Sequence, residues 1–289
     1  MPPWQKTSPP PSPLGDCHAV SATNYWILIP ARRASSRLPD KPLAMIGGRP
    51  LILWVVEQAR KSNAERIVVA TDDREIETVC TAAGVEVIRT RADHPSGTDR
   101  LAEAAAQLGA SDDQILVNLQ GDEPLMPPDA LQAVANALRE DPLASVATAI
   151  TPLSDEELLL PQVVKAVVGT SGRAIYFSRS PVPFWRDRWV SMSQLHAELQ
   201  TSATSDSATG LTAAAPAGLF RHLGLYAFRA GPLQAFTQWG ASPIESMEQL
   251  EQLRWLDHGH CITTISLPKP PPAGVDTPED LERVRRLLS

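Results

Sequence analysis

Fixed positive charge is concentrated in one short stretch, IPARRASSRLPDKP, residues 29–42, which carries Arg32, Arg33, Arg37 and Lys41. Asp40 is its first acid, and Pro39 and Pro42 restrict the backbone around the cations. Several fixed cations and exposed backbone N–H groups in a small volume are what a nucleoside triphosphate needs. A solvated basic loop is the competing reading of the same residues. The patterns GxxxxGK[ST] and GxGxxG are both absent, which removes support for a P-loop and for a dinucleotide fingerprint.

Three more clusters carry chemistry. In TRADHPSGTDR, residues 90–100, the small donors Ser96, Gly97 and Thr98 precede a helical pattern and suit a base or a phosphate. His94 taken alone reads as an ordinary loop histidine. In QGDEP, residues 120–124, Gly121 permits a tight turn and Asp122 can reach a metal. Magnesium prefers one or two carboxylates, with phosphate oxygens and water completing its shell. GVDTPEDL supplies a second carboxylate, Asp276, although the same residues also read as a plain helix start with Asp280 as capping partner. The run PIESMEQLEQLRWLDHG reads as one helix from Ile244 to Asp257. It buries Ile244, Met247, Leu250, Leu253 and Leu256, with Glu248, Glu251 and Gln252 on a solvated face.

Most of these clusters directly follow apolar runs that predict strands. YWILIP reads as a buried strand, and Pro50 opens a helix through Lys61. RIVVAT, VEVIRT and QILVNLQ read as the next three strands. Between them lie a helix from Asp73 to Ala83, stopped by Gly84, and one capped by Thr98 with Leu101, Ala104, Ala105 and Leu108 as its stripe. A helix from Pro128 to Arg139 and a strand from Ala144 to Ile150 follow. Four βα units with near-continuous apolar strands predict an α/β fold with a mainly parallel sheet, helices covering both faces. Ligands then belong outside the carboxyl ends of the strands.

The second half reads differently. VVKAVV and RAIYFS, joined by GTSG, predict a hairpin; HLGLYAFR and CITTISL predict strands, and a helix closes the chain from Thr277 to Leu288. Residues 188–219 contain TSATSDSATGLTAAAPAGL and read as a flexible low-complexity insertion. Residues 1–24 read as a disordered Pro/Ser-rich extension or the product of a start codon set too far upstream, and residues 25–289 as the catalytic domain.

Composition narrows the partners. The 289 residues carry a net charge of −7, which argues against a nucleic-acid or anionic-membrane footprint, and 43% apolar content suffices for a core. Cys17, Cys80 and Cys261 lie far apart, which suits a reducing cytoplasm and offers neither a disulfide framework nor a zinc site. No apolar run approaches the roughly 20 residues that span a bilayer.

Taken in order, IPARRASSRLPDKPL, TRADHPSGTDRLAEA, VNLQGDEPL, VVKAVV…AIYFSRSPVPF, RHLGLYAFR and SPIESMEQLEQLRWL…GVDTPEDLERV resemble the 3-deoxy-manno-octulosonate (Kdo) cytidylyltransferase family. The resemblance runs from Tyr25 to the C-terminus apart from the insertion. It implies a Rossmann-like, glycosyltransferase-A-like nucleotidyltransferase with a smaller β-rich part for the sugar and for dimerisation. It further implies transfer of CMP from CTP to the anomeric 2-hydroxyl of Kdo, for lipopolysaccharide synthesis, with Mg²⁺ as cofactor and a cytoplasmic homodimer as the working form.

Carried onto matching positions, it assigns Arg32, Lys41, Asp122 and Asp276 to catalysis. Ala31, Arg32, Arg37, Lys41, His94, Ser96, Gly97 and Asp122 fall to the nucleotide, Asp122 and Asp276 to the metal. Gln120, Arg179, His222, Tyr226, Glu251 and Gln252 fall to the sugar, with Arg179 expected to pair with its carboxylate. Ser36 stands where the family commonly has Thr, Asp40 where it commonly has Gly, and PVPFWRD replaces the more usual IPWDRD. Two other readings stay open: a cytidylyltransferase for another acidic sugar, and a silent nucleotide-binding protein on the same fold.

Overall fold

The computed structural model describes residues 25–33, 38–186 and 218–288. The expectations for residues 1–24, for Arg37 and for most of the 188–219 insertion lie outside them.

The chain opens on β1 (Tyr25–Ala31), whose residues alternate between two apolar layers: Tyr25, Ile27 and Ile29 enter one, Leu28 the other. A 3₁₀ turn (Lys41–Leu43) and the short ribbon β2 (Met45–Ile46) and β3 (Arg49–Pro50) lead into α1 (Leu51–Arg60). There follow β4 (Arg66–Thr71), α2 (Arg74–Ala82), β5 (Glu86–Arg89), α3 (Gly97–Gln107), β6 (Ile115–Asn118), α4 (Pro128–Glu140) and β7 (Ala144–Pro152). The hairpin β8 (Lys165–Val168) and β9 (Ala174–Ser178) comes next. Then come β10 (Phe220–Arg229), α5 (Ala230–Phe236), α6 (Pro243–Glu248), α7 (Gln252–Asp257), β11 (Cys261–Ser266) and α8 (Pro278–Leu288).

The main sheet runs β11-β7-β10-β6-β1-β4-β5, with β8 and β9 attached beside β10. β1 pairs in parallel with both β4 and β6, as the βα pattern predicts, but β6 and β7 are not neighbours. The long strand β10 returns between them, antiparallel to each, so the sheet is mixed. One face packs against α1 and α4, the other against α3, α5 and α7. The chain leaves β1 toward β4 and β5 and then crosses back to β6 on its other side. That reversal opens a crevice at the carboxyl ends of β1 and β6.

Two helix readings need correction. Ser96, not Thr98, is the N-cap of α3: its backbone is extended and its side chain accepts from Asp99 N–H, while Thr98 lies inside the first turn. The single helix expected from Ile244 to Asp257 is two short ones. Gln249 takes the left-handed conformation (φ 53°) and breaks it, so Met247 points outward, 85% exposed, while Gln252 is buried.

Candidate active site

A cleft of about 330 Å³ opens where β1 and β6 end and α3 begins. It gathers residues from four sequence clusters: Ala31 and Arg32 after β1 with Lys41 further along, His94 to Gly97 before α3, Gln120 to Asp122 after β6, and Asp276 before α8. Two glycines make this convergence possible. A Cβ on Gly121 would sit 2.8 Å from the Pro30 carbonyl oxygen, and one on Gly274 would sit 2.9 Å from the Asp122 carbonyl oxygen. Each glycine thus lets one loop lie directly on the next. Val275 N–H then donates to Asp122 O at 2.8 Å, which ties the segment before α8 to the loop after β6.

The helix-start reading of Asp276 is resolved by its neighbours. Asp280 accepts from the N–H groups of Asp276 and Thr277, and Asp280 N–H bonds back to Thr277 Oγ1, so these two cap the helix between them. The Asp276 carboxylate reaches into the cleft, where Lys41 Nζ donates to it at 3.1 Å and also to Asp122 Oδ2. Two carboxylates thus converge on one cation. A third carboxyl group lies behind them: Glu123 has a buried oxygen without a partner, and burial, with Asp122 and Asp276 adding repulsion, pushes its pKa up to about 8. So much negative potential, with two aspartates facing open volume, matches the hard oxygen donor set of a magnesium ion that completes its shell from phosphate and water. The residues fit that ion.

The loop cations separate into two kinds. Arg32 is exposed at the cleft, and among the described residues no carboxylate pairs with it. Arg33 is held away by Asp40 at 2.5 Å and Glu75 at 2.7 Å. Asp40 therefore has its own partner. It also lies at φ 55°, the left-handed region where glycine is freest and Asp among the better tolerated substitutes.

On the α3 side, Arg100 lines the cleft although sequence reading passed over it. Its guanidinium donates to Thr90 Oγ1 at 2.5 Å and pairs with Asp72 at 3.0 Å, bracing the ends of β4 and β5 against the helix. His94 is packed to 5% exposure, with Nε2 against Glu103 and Nδ1 unpartnered.

Of the residues expected to hold a sugar, only Gln120 lines the cleft itself; Glu251, Gln252, Tyr226 and His222 lie outside that lining and form a polar group next to the first turn of α3. Thr98 Oγ1 donates to Glu251, whose pKa is raised by burial, partly offset by hydrogen bonds from Thr98 and Ser96. The Tyr226 hydroxyl is pushed up by burial and by the Glu251 charge. Burial pushes His222 down to about 3; its ring meets Phe177 and Tyr226, and Nε2 lies 2.9 Å from Thr148 Oγ1. Gln252 Nε2 is buried without a partner. The expected solvated face of Glu251 and Gln252 is therefore turned inward. Asn118, which pairs in register with Tyr226, adds an unpartnered buried Oδ1; it lies in the motif VNLQGDEPL, where the sequence assigns it no role.

Arg179 departs from expectation. Its guanidinium donates to the carbonyls of Glu248 at 2.7 Å, Pro161 at 2.9 Å and Gln249 at 3.2 Å, so three of its five N–H donors are engaged with backbone. The Glu248 carboxylate accepts in return from Ser178 Oγ and Arg179 N–H. Lys165, fully buried, donates to the carbonyls of Leu160, Val163 and Arg179. Together these bonds fasten the β8–β9 hairpin to the break between α6 and α7, one turn before Glu251.

Comparison with known proteins places this arrangement. A family model described as cytidylyltransferase matches residues 26–262. A 3-deoxy-manno-octulosonate cytidylyltransferase of Pseudomonas fluorescens is 49% identical over 91% of this chain and 98% of its own length. One of Herminiimonas arsenicoxydans is 48% identical over 92% and 99%. Among solved structures, CMP:2-keto-3-deoxy-manno-octonic acid synthetase complexed with CTP superposes with a TM-score of 0.77 at 40% identity, covering 91% of this chain and 98% of that one. A 4-diphosphocytidyl-2C-methyl-D-erythritol synthase, at 16% identity and a TM-score of 0.57, shares the fold alone.

Proposed function

The chain belongs to the cytidylyltransferase family, and on that footing we propose that it transfers CMP from CTP to the anomeric 2-hydroxyl of Kdo, releasing pyrophosphate. The observation that carries the reading is the convergence of Asp122, Asp276 and Lys41 on one point of the cleft, beside the exposed Arg32. In the reaction the sugar oxygen bonds to the α-phosphorus, the bond from that phosphorus to the bridging oxygen breaks, and the hydroxyl proton is lost. The protein's share is positioning and charge.

Arg32 and Lys41 offset the charge that grows on the departing pyrophosphate, in a site partly closed to water. Asp122 and Asp276 would hold magnesium, which supplies polarisation of the α-phosphate and a lowered pKa for the attacking hydroxyl. Gly97 and Ser96 bring the N-terminus of α3 to the nucleotide, and Gln120, Tyr226, His222, Glu251 and Gln252 offer hydrogen bonds to a polyhydroxylated acid. The proposal includes a cytoplasmic homodimer: β9 sits at the sheet margin with Ile175 63% exposed, a surface a second copy can cover. Among the described residues no helix is long and apolar enough to cross a membrane.

Pyrophosphate release from a panel of acidic sugars and the four nucleoside triphosphates tests the reading. Release is expected with CTP, Kdo and Mg²⁺ together. Consumption of CTP with a different acidic sugar, such as a nonulosonate, and not with Kdo would overturn the sugar assignment.

A further inference from the structure

Arg32 and Lys41 line the cleft, and each has a neighbour in the chain that does not. Arg33 follows Arg32 and Asp40 precedes Lys41, and these two side chains meet: Arg33 Nε donates to Asp40 Oδ1 at 2.5 Å. The same guanidinium donates through Nη1 to Glu75 Oε2 at 2.7 Å, and Asp73 Oδ2 lies 3.9 Å from it. Asp73 is the N-cap of α2 and Glu75 belongs to its first turn. Both ends of the cation stretch are thereby tied to each other and to one helix end.

Asp40 is available for this contact because its side chain does nothing for the turn it opens. It precedes the 3₁₀ turn Lys41–Leu43 in a left-handed conformation, and its carboxylate makes no capping bond there. The bond from Arg33 holds the Asp40 carboxyl below its usual range, and the bond to Asp40 raises Arg33, so both partners are ionised at working pH. The side chains of Arg33, Asp40 and Glu75 are 43%, 56% and 58% exposed, which limits the strength of each pair.

We propose that Arg33 and Asp40 are positioning residues, an ion-pair latch that sets Arg32 and Lys41 in relation to each other before a triphosphate binds. A clamp whose two sides are already in place loses less conformational freedom on binding than one that must be gathered. The competing account gives each residue only its charge: Arg33 then attracts the tetra-anion and Asp40 repels it. The two accounts predict opposite signs for the loss of Asp40. The inference rests on the nucleotidyl-transfer reading above, because it takes the cleft as a triphosphate site.

The test is calorimetric titration of the full-length protein with CTP and Mg²⁺, without sugar, so that the Kd is read without turnover. Arg33→Gln and Asp40→Asn are each expected to weaken CTP binding about two- to fivefold, the range an exposed ion pair supports. Asn tolerates the left-handed backbone, so the second change removes the charge and keeps the turn. The double variant should bind CTP no more weakly than the weaker single one, because either change alone opens the latch. The KM for Kdo should stay within about twofold of wild type in all three.

Tighter or unchanged CTP binding in Asp40→Asn overturns the latch and leaves the transfer reaction standing. So does a double variant that returns to wild-type affinity or loses the product of both factors, or a KM for Kdo that changes as much as the Kd for CTP. A wild type that binds no CTP overturns the reaction and the latch with it.

Discussion

Lys41 shows what one side chain does in this cleft. Its side chain is 13% exposed and its ammonium touches both aspartates, so it holds Asp122 and Asp276 together against their mutual repulsion. Asp122→Ala removes one of the two carboxylates proposed to hold magnesium. Turnover is expected to fall by at least about 10³-fold in a pyrophosphate-release assay, with an unchanged far-ultraviolet spectrum. His222 acts in a different way. With its pKa pushed down to about 3 it stays neutral throughout the working range and serves as a hydrogen-bonding ring, not a counter-charge for an acid. Its unfolded value is about 6.5, so the unfolded chain binds the extra proton first. The stability that depends on a neutral His222 is fully present above about pH 6.5 and drains away as pH falls toward 3. Thermal unfolding of His222→Asn against wild type across pH 4–7 should show a shallower acid-side slope in the variant. Parallel slopes would contradict the assignment.

At the scale of elements, loops lying on loops make the site, and their glycines bear the constraint. Gly121→Ala and Gly274→Ala each press a methyl group to within about 3 Å of a carbonyl oxygen, and backbone must shift to relieve it. Each is expected to cost about 1–3 kcal/mol and to weaken CTP binding, readable by thermal unfolding and calorimetric titration. The α6–α7 break carries Glu251 and Gln252, which are expected to hold the sugar. Because the Glu248 carboxylate anchors the hairpin to that break, Glu248→Ala should raise the KM for the sugar several-fold and leave that for CTP unchanged; equal changes would place its role elsewhere.

The βα alternation, the hairpin and the clusters at strand ends were legible from periodicity and composition. The break at Gln249 was not, because a continuous helical stripe through Ile244, Leu250 and Leu253 looks the same whether or not one residue turns left-handed. Nor was the role of Arg100 or Asn118, whose meaning depends on partners brought from other strands. The chain order of β7 and β10 likewise carries no trace of β10 inserting between β6 and β7. That Asp40, the first acid of the cation stretch, is paired with Arg33 also depends on the folded loop.

Across the whole molecule, charge and topology act together. A protein with net charge −7 gathers Arg32 and Lys41 at the one place where strand order reverses, so its attraction for a tetra-anion is local and its surface otherwise repels nonspecific polyanions. The two sheet faces bury separate cores that fix β1 and β6 in place, and the chemistry is left to loops at their ends. Phosphorus-31 NMR of the protein with CTP, Kdo and Mg²⁺ tests the central claim most directly. The three CTP resonances should give way to a single phosphodiester and free pyrophosphate, and only when both Kdo and Mg²⁺ are present. CTP that persists unchanged, or decays to CMP as a monoester, would contradict it.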